Sequence, residues 1–220
     1  MSAEKYLPNA RLAGVLFIMA TTATIVSQVI VEPILDASDV GAAAQASRGL
    51  FSLGIMFEVI NALASAGIGI ALFPILRRAK VTAAVGYLSI RAIEGATGVF
   101  AAVAFIWLLT SVETAEAALA LHDAAFLMVL IVFSISTLIL YPILFHFRMV
   151  PVWLSLWGLA GGALLLISCL MISFGVHEMG STVDALLSIP IAVNEMVLAL
   201  WLIIKGVSLQ GPPSQTVKET

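Results

Sequence analysis

Six long apolar runs constrain this chain more than anything else in it. They cover residues 12–31, 50–76, 81–109, 118–145, 153–174 and 187–205. A helix needs about 20 apolar residues to cross a bilayer, so the pattern predicts an all-α, polytopic integral membrane bundle of six transmembrane helices. Composition agrees, because 61% of the 220 residues are hydrophobic and only 10% are charged, against about 25% charged in soluble domains. Six spans take about 120 residues and leave only short connections. Residues 1–207 therefore read as a single six-helix transmembrane domain, and residues 208–220 as a flexible cytoplasmic tail. Any function has to reside in the bundle or in its short loops.

The first run reads as an uncleaved helix, because it is longer than a usual signal core and no clear A-x-A site follows it directly. A small-residue segment from Gly41 to Ser47 is compatible with an interfacial helix between the first two spans. No basic patch with interleaved aromatics is present, which argues against nucleic-acid binding. Cys169 is the only cysteine, so an intramolecular disulfide is impossible and a packing role is the plain reading. Gly158 and Gly162 have the small-xxx-small spacing of close helix packing, most simply within one monomer. Trp153, Trp157 and Trp201 fall near span ends, where aromatic belts form.

Cationic loop residues set the orientation. Of ten Lys and Arg residues, eight fall on one side, among them Arg11, Arg77, Arg78, Lys80, Arg148 and Lys205. Arg48 alone falls on the other side, and Arg91 lies within the third span. Both termini are therefore expected in the cytoplasm. The outer loops carry acids, Asp184 among them, which read as solvated loop residues.

The third span poses the chemical question. Arg91 and Glu94 sit one turn apart on one face, and each charge costs roughly 2.5–3.5 kcal/mol at mid-bilayer by insertion scales. Depth brings other polar residues to a similar level. Glu58 and Asn61 lie about 8–11 residues into the second span, roughly 12–17 Å at 1.5 Å per residue. Asn194 and Glu195 reach a comparable depth in the sixth span, with His122 higher in the fourth. Ser134, Thr137 and Tyr141 continue inward on the fourth. The coincidence predicts one shared polar cluster of Arg91, Glu94, Glu58, Asn61, Asn194, Glu195 and His122. Three deep carboxylates then face one guanidinium. The surplus has to be balanced by water, hydrogen bonds, protonation or a bound cation. The competing interpretation is that these residues only lock the helices together.

No nucleophile elbow, H-E-x-x-H or phosphate-binding glycine loop occurs, so no catalytic residue is assigned and no cofactor is read. His122-Asp123 and His177-Glu178 lack a fixed ligand spacing, so no metal site is assigned either.

Several short stretches, in this order and spacing, resemble a bacterial family of six-helix membrane proteins, domain of unknown function 4386. They are Arg48-Gly49-Leu50-Phe51, Arg91-Ala92-Ile93-Glu94, Leu121-His122, and Phe147-Arg148-Met149-Val150-Pro151-Val152-Trp153-Leu154 followed by Gly158. Asn194-Glu195 and Leu200-Trp201-Leu202-Ile203-Ile204-Lys205-Gly206 complete the set. Glu58, Pro74 and Pro142 depart from the family pattern. The resemblance implies one six-helix domain in a bacterial cytoplasmic membrane, and supplies no activity, cofactor or catalytic residue.

Three functions fit this reading. The leading one is a non-catalytic membrane protein that binds a small or lipophilic molecule, or an ion, in an outward-facing cavity anchored by Arg91. The second is an intramembrane enzyme using a glutamate as acid or base on a lipid-like substrate. The third is a proton-coupled transporter. The bilayer is the one partner the sequence itself requires.

Overall fold

The computed structural model describes residues 6–208. Among them the protein is all-helical, with six helices long and apolar enough to cross a membrane. These are α1 (Leu7–Leu35), α3 (Arg48–Leu76), α4 (Val81–Leu108), α5 (Ala115–His146), α6 (Val152–Ser173) and α7 (Thr182–Ile204). A short helix, α2 (Val40–Ala46), and a 3₁₀ turn (Val112–Thr114) occupy the connections at one end. Asp39 caps α2 by accepting from the Ala42 amide. The tail expected over residues 208–220 lies, from residue 209 onward, outside the described residues.

Capping chemistry accounts for where two spans begin. α1 starts at Leu7, ahead of its apolar run, because Pro8 sits in the first turn where no amide donor is needed. α7 starts at Thr182 because Ser181 accepts from the Asp184 amide, the first half of a capping box. Gly175 and Gly206 take φ of +70° just beyond α6 and α7, the left-handed turn that ends a helix cheaply only with glycine.

Each span packs on its neighbours in the chain, and α7 returns to α1, so the six helices close a ring. Small residues set the spacing of that ring. A Cβ on Gly14 would come within 2.6 Å of the Ala199 carbonyl, and one on Gly95 within 2.7 Å of the Ala62 carbonyl. Gly158 and Gly162 face α5, where the Tyr141 ring and the Thr137 hydroxyl fill the space that a Cβ would take. The small-xxx-small motif therefore works inside the monomer.

Two apolar cores flank the middle of the ring. At the end carrying both described termini, residues of all six spans pack together, including Ala10, Leu76, Ala84, Leu144, Leu154 and Leu202. At the opposite end the core is drawn from α1 to α5, with Phe51, Phe105 and Leu108 at its centre and no residue of α6 or α7. One end of the ring is thus sealed all round, and the other on one side.

Candidate functional site

Between these cores lies a cavity of about 400 Å³ to which every span contributes. Its floor is Arg91. The tight approach of α3 and α4 lets this side chain cross between them. Gly69 leaves room for the Arg91 stem, since a Cβ there would sit 2.9 Å from Arg91 Cβ. Arg91 Nε then donates to the Ser65 carbonyl at 3.0 Å. Its Nη1 is 3.1 Å from Glu94 Oε2, an ion pair by distance that is not aligned as a hydrogen bond. The guanidinium carbon also lies 5.8 Å from the Phe17 ring centroid and 6.0 Å from that of Phe133, within cation–π range. Arg91 and Glu94 are 2% and 3% exposed, so the pair sits out of contact with lipid, as the cost of charge in hydrocarbon demands.

Asn61 on α3 and Glu195 on α7 complete the polar lining. Glu195 is only partly buried and stands within Coulombic range of both Arg91 and Glu94. Above this floor the walls are largely apolar, with Phe126, Val129, Leu130 and Phe133 from α5 and Ile25 from α1. Polar groups reappear near the upper rim, where Thr24 and Gln28 face Asp184 and Ser188.

The cluster read from the sequence is thus divided. Arg91, Glu94, Asn61 and Glu195 share the cavity. Asn194 does not line it. Fully buried, Asn194 accepts from the Tyr141 hydroxyl and donates through Nδ2 to the Leu154 carbonyl at 3.0 Å, tying α5, α6 and α7 together. Ser134 and Thr137 likewise turn away from the cavity and donate to carbonyls of their own helix.

Glu58 and His122 form a second group on the far side of α3. His122 Nε2 is 3.0 Å from Glu58 Oε1 and its Nδ1 is 3.3 Å from Asp123 Oδ1. The imidazole lies flat on Phe105, with ring centroids 3.4 Å apart. Glu58 Oε2 is buried without a hydrogen-bond partner among the described residues. The rotation of α3 explains the split. Glu58 and Asn61 are three residues apart, hence about 60° apart around the axis, enough to aim one at α5 and the other into the cavity.

Asp184 departs furthest from its sequence reading. It is buried rather than a solvated loop acid, and its carboxylate accepts from Ser168 Oγ at 2.8 Å, Ser188 Oγ at 3.1 Å and the Gly180 amide at 2.9 Å. The readable signal was Ser181-x-x-Asp184, a capping-box spacing directly before an apolar run. The contribution of α1 to the walls had no comparable signal, because Thr21, Thr24 and Gln28 are scattered along a uniformly apolar run.

No group of three or more His, Cys, Asp or Glu side chains suited to a metal occurs among the described residues. No curated protein and no solved structure matches the chain. Residues 12–206 do match the family described as Domain of unknown function (DUF4386), and this multi-pass membrane protein belongs to that family.

Proposed function

We propose that the protein is a non-catalytic membrane receptor that holds a small or lipophilic molecule in the cavity above Arg91. The observation that carries this reading is a buried ion pair that lines open space. A pair serving only to lock helices is enclosed by side chains, whereas Arg91 and Glu94 border about 400 Å³ of cavity, within the range of small-molecule sites. Polar groups at one end and apolar walls beyond them suit an amphiphile.

In this reading both termini face the cytoplasm and the cavity lies in the outer half of a bacterial cytoplasmic membrane. The basic connections support it. Arg77, Arg78, Lys80 and Arg148 lie at the same end of the ring as the start of α1 and the end of α7, as the positive-inside rule requires. Residues 1–207 then act as one domain.

Native mass spectrometry of gently extracted protein, with metal analysis alongside, tests the proposal. The expected result is a bound apolar mass that is lost in Leu130→Trp, which fills the cavity, while the variant stays folded. Identical spectra for the two proteins, with nothing bound to either, would overturn it.

One observation favours a second reading, a proton-coupled carrier. Asp123 is 60% exposed along its side chain and His122 joins it to Glu58, an acid–imidazole–acid chain that leads inward. In proteoliposomes this reading expects substrate uptake that follows an imposed pH gradient and is lost in His122→Phe. Uptake indifferent to that gradient would remove it.

A further inference from the structure

Charge within the cavity is unevenly matched. Arg91 spends Nε on the Ser65 carbonyl and Nη1 on Glu94, and its guanidinium carbon lies 5.8 Å and 6.0 Å from two phenylalanine ring centroids. Asp184, at the rim, is saturated by two hydroxyls and an amide. Glu195 has neither a hydrogen bond nor an ion pair among the described residues, and its carboxylate lines the cavity. Glu94, almost fully buried, also lines the cavity, but its Oε2 is turned to Arg91 Nη1 at 3.1 Å. In ionised form, Glu94 is matched by Arg91, and no second cation among the described residues lines the cavity to match Glu195. An acidic head group entering here would face both carboxylates, whereas a protonated amine would supply the missing cation and donors. The rings of Phe126 and Phe133 border the same space and favour a cation further.

The route is also marked. α1 and α7 touch near the sealed end, where Gly14 lies under the Ala199 carbonyl and Arg11 Nε donates to the Ile203 carbonyl at 3.2 Å. Towards the other end the cavity lies between them. Thr21, Ile25 and Gln28 line it from α1, and Ser188, Ala192 and Glu195 line it from α7. Ile25, Gln28 and Ala192 are exposed, and the apolar core at that end includes no residue of α6 or α7. Exposed apolar lining in a membrane helix meets lipid, so the gap opens sideways into the bilayer.

We infer that the occupant is a lipophilic amine, its ammonium held at Glu195 and its apolar body admitted from the bilayer between α1 and α7. This rests on the reading of the cavity as a binding site, and adds the ligand's charge and its path.

Three probes of equal chain length separate the possibilities: dodecylamine, dodecanol and dodecanoate. Each is measured on the full chain in nanodiscs and corrected against protein-free nanodiscs. Dodecylamine is expected to bind at least tenfold more tightly than dodecanol, and dodecanoate most weakly. Glu195→Gln abolishes the amine preference, so that dodecylamine and dodecanol bind alike, while Glu195→Asp keeps a preference. Ala192→Trp, placed in the gap, slows amine association at least tenfold with the same order of affinities. Equal binding of all three probes, or tightest binding of dodecanoate, overturns the assignment of charge and leaves the cavity reading standing. An unchanged rate in Ala192→Trp overturns the lateral path. Failure of every probe, with no co-purifying apolar molecule, overturns the cavity reading itself.

Discussion

Asn194 and Glu195 are consecutive on α7, and successive helical residues point about 100° apart. That rotation sends them into two different regions. Asn194 enters the tight seam of α5, α6 and α7, where Tyr141 donates to its oxygen and the Leu154 carbonyl accepts from its nitrogen. Glu195 enters the cavity, where no side chain among the described residues completes it. Both are intramembrane polar residues at one depth, yet one is a latch and the other borders open space. Satisfaction of hydrogen bonds, rather than polarity or depth, separates structural polar residues from candidates for binding.

The comparison can be broken, or sharpened, by substitution. The largest effect is expected on the cavity floor. Arg91→Leu strands Glu94 in a buried site and should cost about 3–5 kcal/mol, read as SDS-induced unfolding in mixed micelles. The double variant Arg91→Leu/Glu94→Leu should recover most of that loss. Equal destabilisation of the single and double variants would mean that the two side chains are not paired.

In the latch region, Gly158→Val drives a side chain into the Tyr141 ring. Overpacking of this kind costs about 1–3 kcal/mol. The same unfolding assay should show it, together with a weakened α5–α6 contact. Asn194→Leu should cost about 1–3 kcal/mol, since two interhelical hydrogen bonds vanish and the Tyr141 hydroxyl is left buried. A variant as stable as the parent would show that the latch is ornamental.

Glu195→Gln should move stability least, within about 0.5 kcal/mol, because its carboxylate contributes no protein contact that the amide loses. If its cost matched that of Asn194→Leu, the distinction between latch and cavity would fail.

Much of this architecture is legible without coordinates. Six apolar runs of bilayer length leave little freedom in the number of spans, and the Gly158–Gly162 spacing marks a close contact whose partner turns out to be α5. The candidate site is legible only in part. Arg91 and Glu94 stand out because charge in an apolar run is costly, and depth alone groups Asn61 and Glu195 with them. Depth also groups Glu58, His122 and Asn194, which the fold sends elsewhere. Asp184 looks like a loop acid until Ser168, thirteen residues before the α7 cap in another helix, is brought against it.

Hydrocarbon leaves the backbone no hydrogen-bond partner but itself, so length and apolarity suffice to dictate helices, their number and their alternation across the bilayer. Rotation about each helix axis is a different matter. In lipid, an apolar face gains little by turning inward, since the tails are as apolar as leucine. Which residues meet is therefore decided by close contacts such as Gly14 of α1 against α7, Gly69 under Arg91 and Gly158 under Tyr141. Those contacts aim Asn194 at a carbonyl and Glu195 at open space, and only the packed ring specifies that choice.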